Sequence, residues 1–328
     1  MNTEELKSRY SLGERDFHKI NLVGANLKHF HLEKVNFTGC SLACADLTRA
    51  VLSEANFSDA FLYSANMKYV KLGKGKLINA DLTKTDLQGS FLVKSELSGA
   101  KLTGAILSGV NLRSANLEGV NLCGANLSGI NLRSANLKNA NLRWANLSRA
   151  RLNQALVQGA FLTGVNLSKA YLMEVDLHEM DLNGIDFSGA KMKLANLSGA
   201  DLTATNFSGT NLTSADLKGA IMNGSNLRNA VLIDSNFSEA VLMRADLSYA
   251  VLTDANLSKT NLNLADLHKA DLSGACLQEA YLWKADLSEA NLDGADLSGA
   301  SLRGAILDGV DLQNTNLTGA MMPDGKVN

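Results

Sequence analysis

Three groups of residues have the types and spacing to do chemistry. Asp246, Asp266 and Asp286 recur at intervals of twenty. Stacked one above another they would make a row of carboxylates about 5 Å apart, able to imitate nucleic-acid phosphates or to receive a basic partner. Lys68, Lys71, Lys74 and Lys76 crowd the stretch NMKYVKLGKGKL at 66–77. There, ammonium groups and backbone N–H groups around Gly75 are the ingredients of a phosphate- or acid-binding loop. Arg113 and Arg133 repeat the interval of twenty with the opposite charge, and Arg143, Trp144, Arg149 and Arg151 follow closely.

Each group also has a plainer explanation. Asp alternates with Asn in its slot, with Lys269 and Lys284 nearby to neutralise it. The lysine-rich stretch reads equally as a distorted, solvated coil, and its glycines do not have P-loop spacing. Nucleic-acid binding wants aromatic groups interleaved with the arginines, and Trp144 is one ring, so direct nucleic-acid binding is disfavoured.

Catalysis finds less support. His18, His29, His31, His178 and His268 form no ligand set at metal-like spacing. Cys40, Cys44, Cys123 and Cys276 lack a paired CxxC spacing and read as free thiols in a reducing compartment. No serine elbow, Cys–His pairing or glycine-rich nucleotide loop is present, so neither enzyme activity nor a metal or cofactor is expected. No apolar run reaches the roughly 18 residues of a membrane span, and no signal-peptide stretch opens the chain. A cytoplasmic protein is expected. The net charge of −2 hides an imbalance: residues 1–160 carry 20 Lys+Arg against 12 Asp+Glu, and residues 161–328 carry 11 against 21.

The elements that must position these groups are set by a period of five. Apolar centres fall at every residue number ending in 2 or 7, in unbroken phase from Phe17 to Met322, which makes 62 pentads. The most regular run gives Leu112, Leu117, Leu122, Leu127, Leu132, Leu137, Leu142 and Leu147 as core positions. On an α-helix such a period advances about 140° per repeat and forms no stripe, so helix is rejected. Within a pentad the order apolar, polar, apolar fits a short strand with alternate residues inward. Of 27 glycines, 23 occupy the second residue after a centre, where a turn needs positive φ. One pentad is therefore one strand and one corner, and only stacking of coils can bury its face. Bulky residues at the small inward position, such as Phe30, Met180 and Ile185, are expected to widen their coils.

The pattern Ala-(Asp/Asn)-Leu-x-x, unaltered in Ala125-Asn126-Leu127-Ser128-Gly129 and Ala295-Asp296-Leu297-Ser298-Gly299, resembles the pentapeptide-repeat family. The approach Gly13-Glu14-Arg15-Asp16-Phe17 resembles its cyanobacterial members. The resemblance implies an all-β fold, a right-handed quadrilateral parallel β-helix of about 15 coils and roughly 75 Å. Large apolar residues just before a centre favour numbers ending in 1, which supports an even number of sides. The expected organisation is an N-terminal cap at 1–14, with a short helix from Thr3 to Arg9, the β-helix at 15–322 and a tail at 323–328. At Pro323 strand pairing should stop, because proline has no N–H to donate.

Solenoids of this kind commonly serve protein recognition. The leading expectation is a non-catalytic scaffold binding a regulatory protein through outward Phe61, Phe91, Phe161, Tyr171 and Tyr281, side chains equally explained by β-propensity. The alternative, implied by quinolone-resistance members of the family, is a DNA mimic that protects DNA gyrase through the acidic half containing Asp246, Asp266 and Asp286. The basic first half opposes it, as does the lack of the C-terminal dimer segment that gyrase-binding members carry. A monomer or end-to-end self-association is expected.

Overall fold

The computed structural model describes residues 1–328. Its one helix, α1, spans Thr3–Ser11, two residues beyond the expected end. Asn2 is the N-cap: its side-chain oxygen accepts the Glu5 N–H at 2.8 Å, and Thr3 begins the helix. Leu6 is fully buried, and the Tyr10 hydroxyl donates to the Glu33 carbonyl at 3.1 Å. Arg9 holds Glu14 through its Nε at 2.7 Å, which fixes the exit of the helix.

In each of its two compact units the chain is a parallel β-helix whose strands are single bridges, beginning at Asp16 in the first. Residue i pairs with i+20, as in Asn111 with Asn131 and Asp266 with Asp286, so four pentads make one coil. Two compact units follow this rule, unit 1 at Met1–Asn166 and unit 2 at Leu167–Asn328.

One pentad shows how sequence dictates the path. The Leu112 N–H donates to Asn131 O of the next coil at 2.8 Å. Ala115 N–H then donates back to Leu112 O at 3.0 Å, closing a four-residue turn. The third residue of that turn, Ser114, has φ 56. Every equivalent corner from Lys19 to Gly309 lies at positive φ, whatever its residue type. For a side chain this costs on the order of 1–2 kcal/mol, so coil pairing must over-determine the corner.

Asparagine before each centre has a local role. The Asn126 side-chain oxygen accepts the Ser128 N–H at 3.1 Å, and Asn146 accepts Ser148 N–H at 3.0 Å. The side chain satisfies a backbone donor entering the corner, and aspartate does the same.

The centres and the small residues before them fill the interior. Leu112, Leu117, Leu122, Leu127, Leu132, Leu137, Leu142 and Leu147 are all buried. Phe17, Phe37 and Phe57 form one ring column, with centroids 6.2 and 5.4 Å apart. Phe187 and Phe207 stack at 5.2 Å in unit 2. The closing hydrogen bond of the turn is 3.2 Å at Phe30 and Ile185 and 3.4 Å at Met180, against 3.0 Å at Ala115, but it is also 3.2 Å at Gly75 and Ala200, so its length does not follow bulk at the small inward position.

At Pro323 pairing does not stop. Its carbonyl still accepts the Gly304 N–H at 3.0 Å, and a turn at Gly325, φ 86, reverses the chain. Val327 then pairs antiparallel with Met321.

Candidate interaction surfaces

The register brings Asp246, Asp266 and Asp286 directly above one another. Each commits one carboxylate oxygen to its own corner, accepting the N–H of Ser248, His268 and Ser288 respectively at 2.9 Å. The Ser288 hydroxyl, then the Ser288 N–H, holds the Asp286 carboxyl below the usual carboxylate range. The expected neutralising lysines are occupied elsewhere: Lys269 faces Glu289 at 3.4 Å, and Lys284 lies 4.7 Å from the Trp283 ring. Hydrogen bonds from their own corners, from Ser248, from the His268 N–H and from Ser288, rather than from ammonium groups, are what these carboxylates receive.

The five outward aromatics are exposed, from 37% at Tyr171 to 55% at Tyr281. Neither unit gathers those that it carries. Phe61 bridges Ser41 and Asp81, Phe91 bridges Lys71 and Asn111, and Phe161 bridges Asn141. Tyr171 bridges Lys191, and Tyr281 bridges Asn261 and Ser301. No two of them are neighbours on consecutive coils.

The lysine-rich stretch is a regular coil. Its backbone donors are committed: Lys71 to Ala50 O, Leu72 to Phe91 O, Lys74 to Val93 O and Lys76 to Ala55 O. A nest of free N–H groups around Gly75 is therefore not formed. Gly75 instead makes room for Leu72, whose Cδ1 is 2.5 Å from where a Cβ would stand. Lys68 is drawn to Asp86 at 3.0 Å.

Several surface contacts escaped the sequence reading. Trp144, 66% exposed, occupies a corner, and its ring covers Gly164 one coil on, 2.2 Å from where a Cβ would stand. Beside it Arg143 lies 4.3 Å from the Phe161 ring. Tyr69 covers Gly89 in the same way. A glycine twenty residues after a bulky corner residue was the available signal. No group of three His, Cys, Asp or Glu is arranged to hold a metal ion, and no helix is long and apolar enough to cross a membrane.

A parallel β-helix of stacked five-residue units defines a structural repeat protein. The profile of pentapeptide repeats matches in successive segments between residue 20 and residue 321, and the chain belongs to that family. Its members form right-handed β-helical solenoids and are generally structural or interaction proteins. Among solved structures the chain is similar to HetL, a pentapeptide repeat protein involved in heterocyst differentiation regulation from the cyanobacterium Nostoc sp. strain PCC 7120. The identity is 28%, coverage 100% of both chains and the TM-score 0.27. It is also similar to trypsin-treated QnrB1, a plasmid-mediated fluoroquinolone resistance protein, at 20% identity over 58% of this chain and 90% of that one, TM-score 0.42. Rfr23 from the cyanobacterium Cyanothece 51142 is 26% identical over 48% of this chain and 94% of its own, TM-score 0.19. No curated protein matches the chain in sequence. Membership rests on the repeat match, not on these superpositions.

Proposed function

We propose that the chain is a non-catalytic, cytoplasmic protein-interaction scaffold that binds a regulatory protein partner. The observation carrying this reading is that backbone and inward side chains are consumed by coil pairing and core, while large apolar groups stand exposed at outward positions. Isolated exposed apolar residues are ordinary, so contacts through Phe61, Phe91, Phe161, Tyr171 and Tyr281 would be separate points. The twenty-residue register supports four-sided coils, about 15 in all, divided into a cap at 1–14, a β-helix at 15–322 and a tail at 323–328. The test replaces the five aromatics with Ser and compares the proteins captured from a native lysate. Loss of a specific partner is expected; an unchanged set removes the reading.

The second reading is a DNA mimic protecting DNA gyrase through Asp246, Asp266 and Asp286. Their direct stacking at one-coil spacing favours it. The excess of cations in the first half opposes it. Purified gyrase supercoiling DNA at an unchanged rate in micromolar protein would dismiss it.

A further inference from the structure

We propose that one corner of unit 1, carrying Lys74, Lys94, Arg113 and Arg133, is a docking edge for an acidic α-helical segment of a protein partner. Phe91 is its apolar anchor. The proposal rests on the interaction-scaffold reading and names the chemistry of the partner.

The coil register unites lysines and arginines that are scattered in sequence. Lys74 N–H donates to Val93 O at 2.9 Å, Lys94 N–H to Arg113 O at 3.0 Å, and Ser114 N–H to Arg133 O at 2.9 Å. The four cations therefore occupy four consecutive coils along one corner, three steps of about 4.8 Å each. All four are exposed. Elsewhere in unit 1, cations find acids one coil away, as Lys34 finds Glu54 at 3.9 Å and Lys28 finds Asp46 at 3.1 Å. No salt bridge joins an acid to any of these four, although Glu54 stands one coil before Lys74 on the same corner. Carboxylates on adjoining strands are engaged: Glu54 by Lys34, and Glu96 by the Asn116 amide at 3.0 Å. Like charges held this close repel, and a row of anions from outside relieves all of them together.

Pitch selects the kind of polyanion. Same-face side chains of an extended peptide are about 6.7 Å apart and fall out of step with the ladder by its third rung. Glutamates at i, i+4, i+7 and i+11 of a helix advance about 5.5 Å per step, within reach of flexible Lys and Arg stems. A nucleic-acid strand would seek interleaved rings, and this edge has one. That ring is Phe91, 47% exposed, whose Cε1 stands 3.3 Å from where a Gly73 Cβ would be. With Val93 it supplies the apolar part of a shallow notch between Lys74 and Lys94, lined also by Ser53 and by Glu54, which suits one aliphatic side chain flanking the acidic stripe.

The test uses the full chain and a labelled, end-capped helical peptide of about twenty residues, with Glu at the four positions and Leu beside them. Fluorescence anisotropy is compared with a proline-broken peptide of the same charge and with single-stranded DNA of similar length. The helical peptide is expected to bind best and to weaken with salt. Lys94→Glu/Arg113→Glu should weaken it about tenfold or more, and Phe91→Ser by about threefold. These sites are solvent-facing, and an unchanged far-UV CD spectrum verifies the fold. Equal binding of the broken peptide, or tighter binding of DNA, overturns the proposal. So does a salt-sensitive rise in the mass of the protein alone that the double variant abolishes, since a second copy would then be the occupant. If a lysate partner is lost on aromatic substitution yet held by Lys94→Glu/Arg113→Glu, the docking edge falls and the scaffold reading stands.

Discussion

In unit 1 the register sets Lys74, Lys94, Arg113 and Arg133 on consecutive coils without an acid between them. In unit 2, three corner-region cations face acids: Lys218 meets Glu239 at 3.5 Å, Lys259 meets Glu279 at 3.9 Å, and Lys269 meets Glu289 at 3.4 Å. The surplus charge of unit 2 lies instead in aspartates, including those of its stacked row. No charged residue lies at 161–166, so the counts of 20 cations against 12 anions and 11 against 21 apply to the two units unchanged. Both units nevertheless use one backbone rule, one turn and one kind of core. The lesson is that coil pairing constrains what points inward and what turns the corner, and leaves outward charge free to differ.

The largest expected effect tests the sameness of the two cores. Leu122 and Leu242 are both fully buried. Replacing either with Ala should destabilise its unit by about 2–5 kcal/mol. Urea denaturation with probes in both units measures this, and costs differing by more than about 2 kcal/mol break the premise of a common core.

A smaller difference is expected at the corners. Gly224 in unit 2, φ 61, has nothing within 4 Å of where a Cβ would stand, so Gly224→Ala should cost only the backbone strain, about 1 kcal/mol. Gly164 in unit 1, φ 69, lies beneath the Trp144 ring, so Gly164→Ala should cost about 1–3 kcal/mol more unless the ring moves away. In the Trp144→Ala background the excess should vanish. Equal costs for Gly164→Ala with and without Trp144 would show that the ring does not depend on the missing Cβ.

How far these contrasts could be read from sequence follows from the same division. The inward leucines and the glycine corners were legible because a strict period leaves few solutions, and the i to i+20 pairing of Asp246, Asp266 and Asp286 followed from it. The use of their carboxylates was not legible. An aspartate in the asparagine slot looks like a free charge until Ser288 is seen donating to it. The cation ladder was hidden for a different reason. Lys74 to Lys94 is a step of twenty, but Lys94 to Arg113 is a step of nineteen, and only the hydrogen bond from Lys94 N–H to Arg113 O puts the two on one corner. The folded-back tail was missed because proline was judged as a donor, when its carbonyl does the pairing.

Acid should reveal a modest effect specific to the unit 2 row. The Asp286 carboxyl is held below its usual range by the Ser288 hydroxyl and N–H. A lowered folded-state pKa means that its contribution is present above the unfolded carboxylate range, near 4, and is lost as pH falls through the folded value. Asp286→Asn keeps an oxygen for the Ser288 N–H but does not titrate, so it should flatten the fall in melting temperature below about pH 4 while changing little at pH 7. A steeper acid transition in the variant would show that charge repulsion along the row outweighs the serine bonds.

The thiols give the smallest energetic effect and the sharpest contrast between inward and outward slots. Cys40 fills a small inward position in unit 1, is buried, and donates from Sγ to the Phe17 carbonyl at 2.9 Å. Burial pushes its pKa up to about 11. Cys276 of unit 2 occupies an outward strand position and pairs through its backbone with Asn256 and Asp296, while Cys44 stands exposed at a corner. Iodoacetamide at pH 8 followed by peptide mass mapping should alkylate Cys44 and Cys276 and leave Cys40 unmodified until the chain is unfolded. The raised value also sets a direction at high pH. The unfolded thiol ionises first, so the stability contributed by a neutral Cys40 should decline as pH rises from about 9 towards 11, and Cys40→Ala should remove that slope. Alkylation of native Cys40 at the rate of Cys276 would mean that the coils of unit 1 open far more readily than their hydrogen bonding implies.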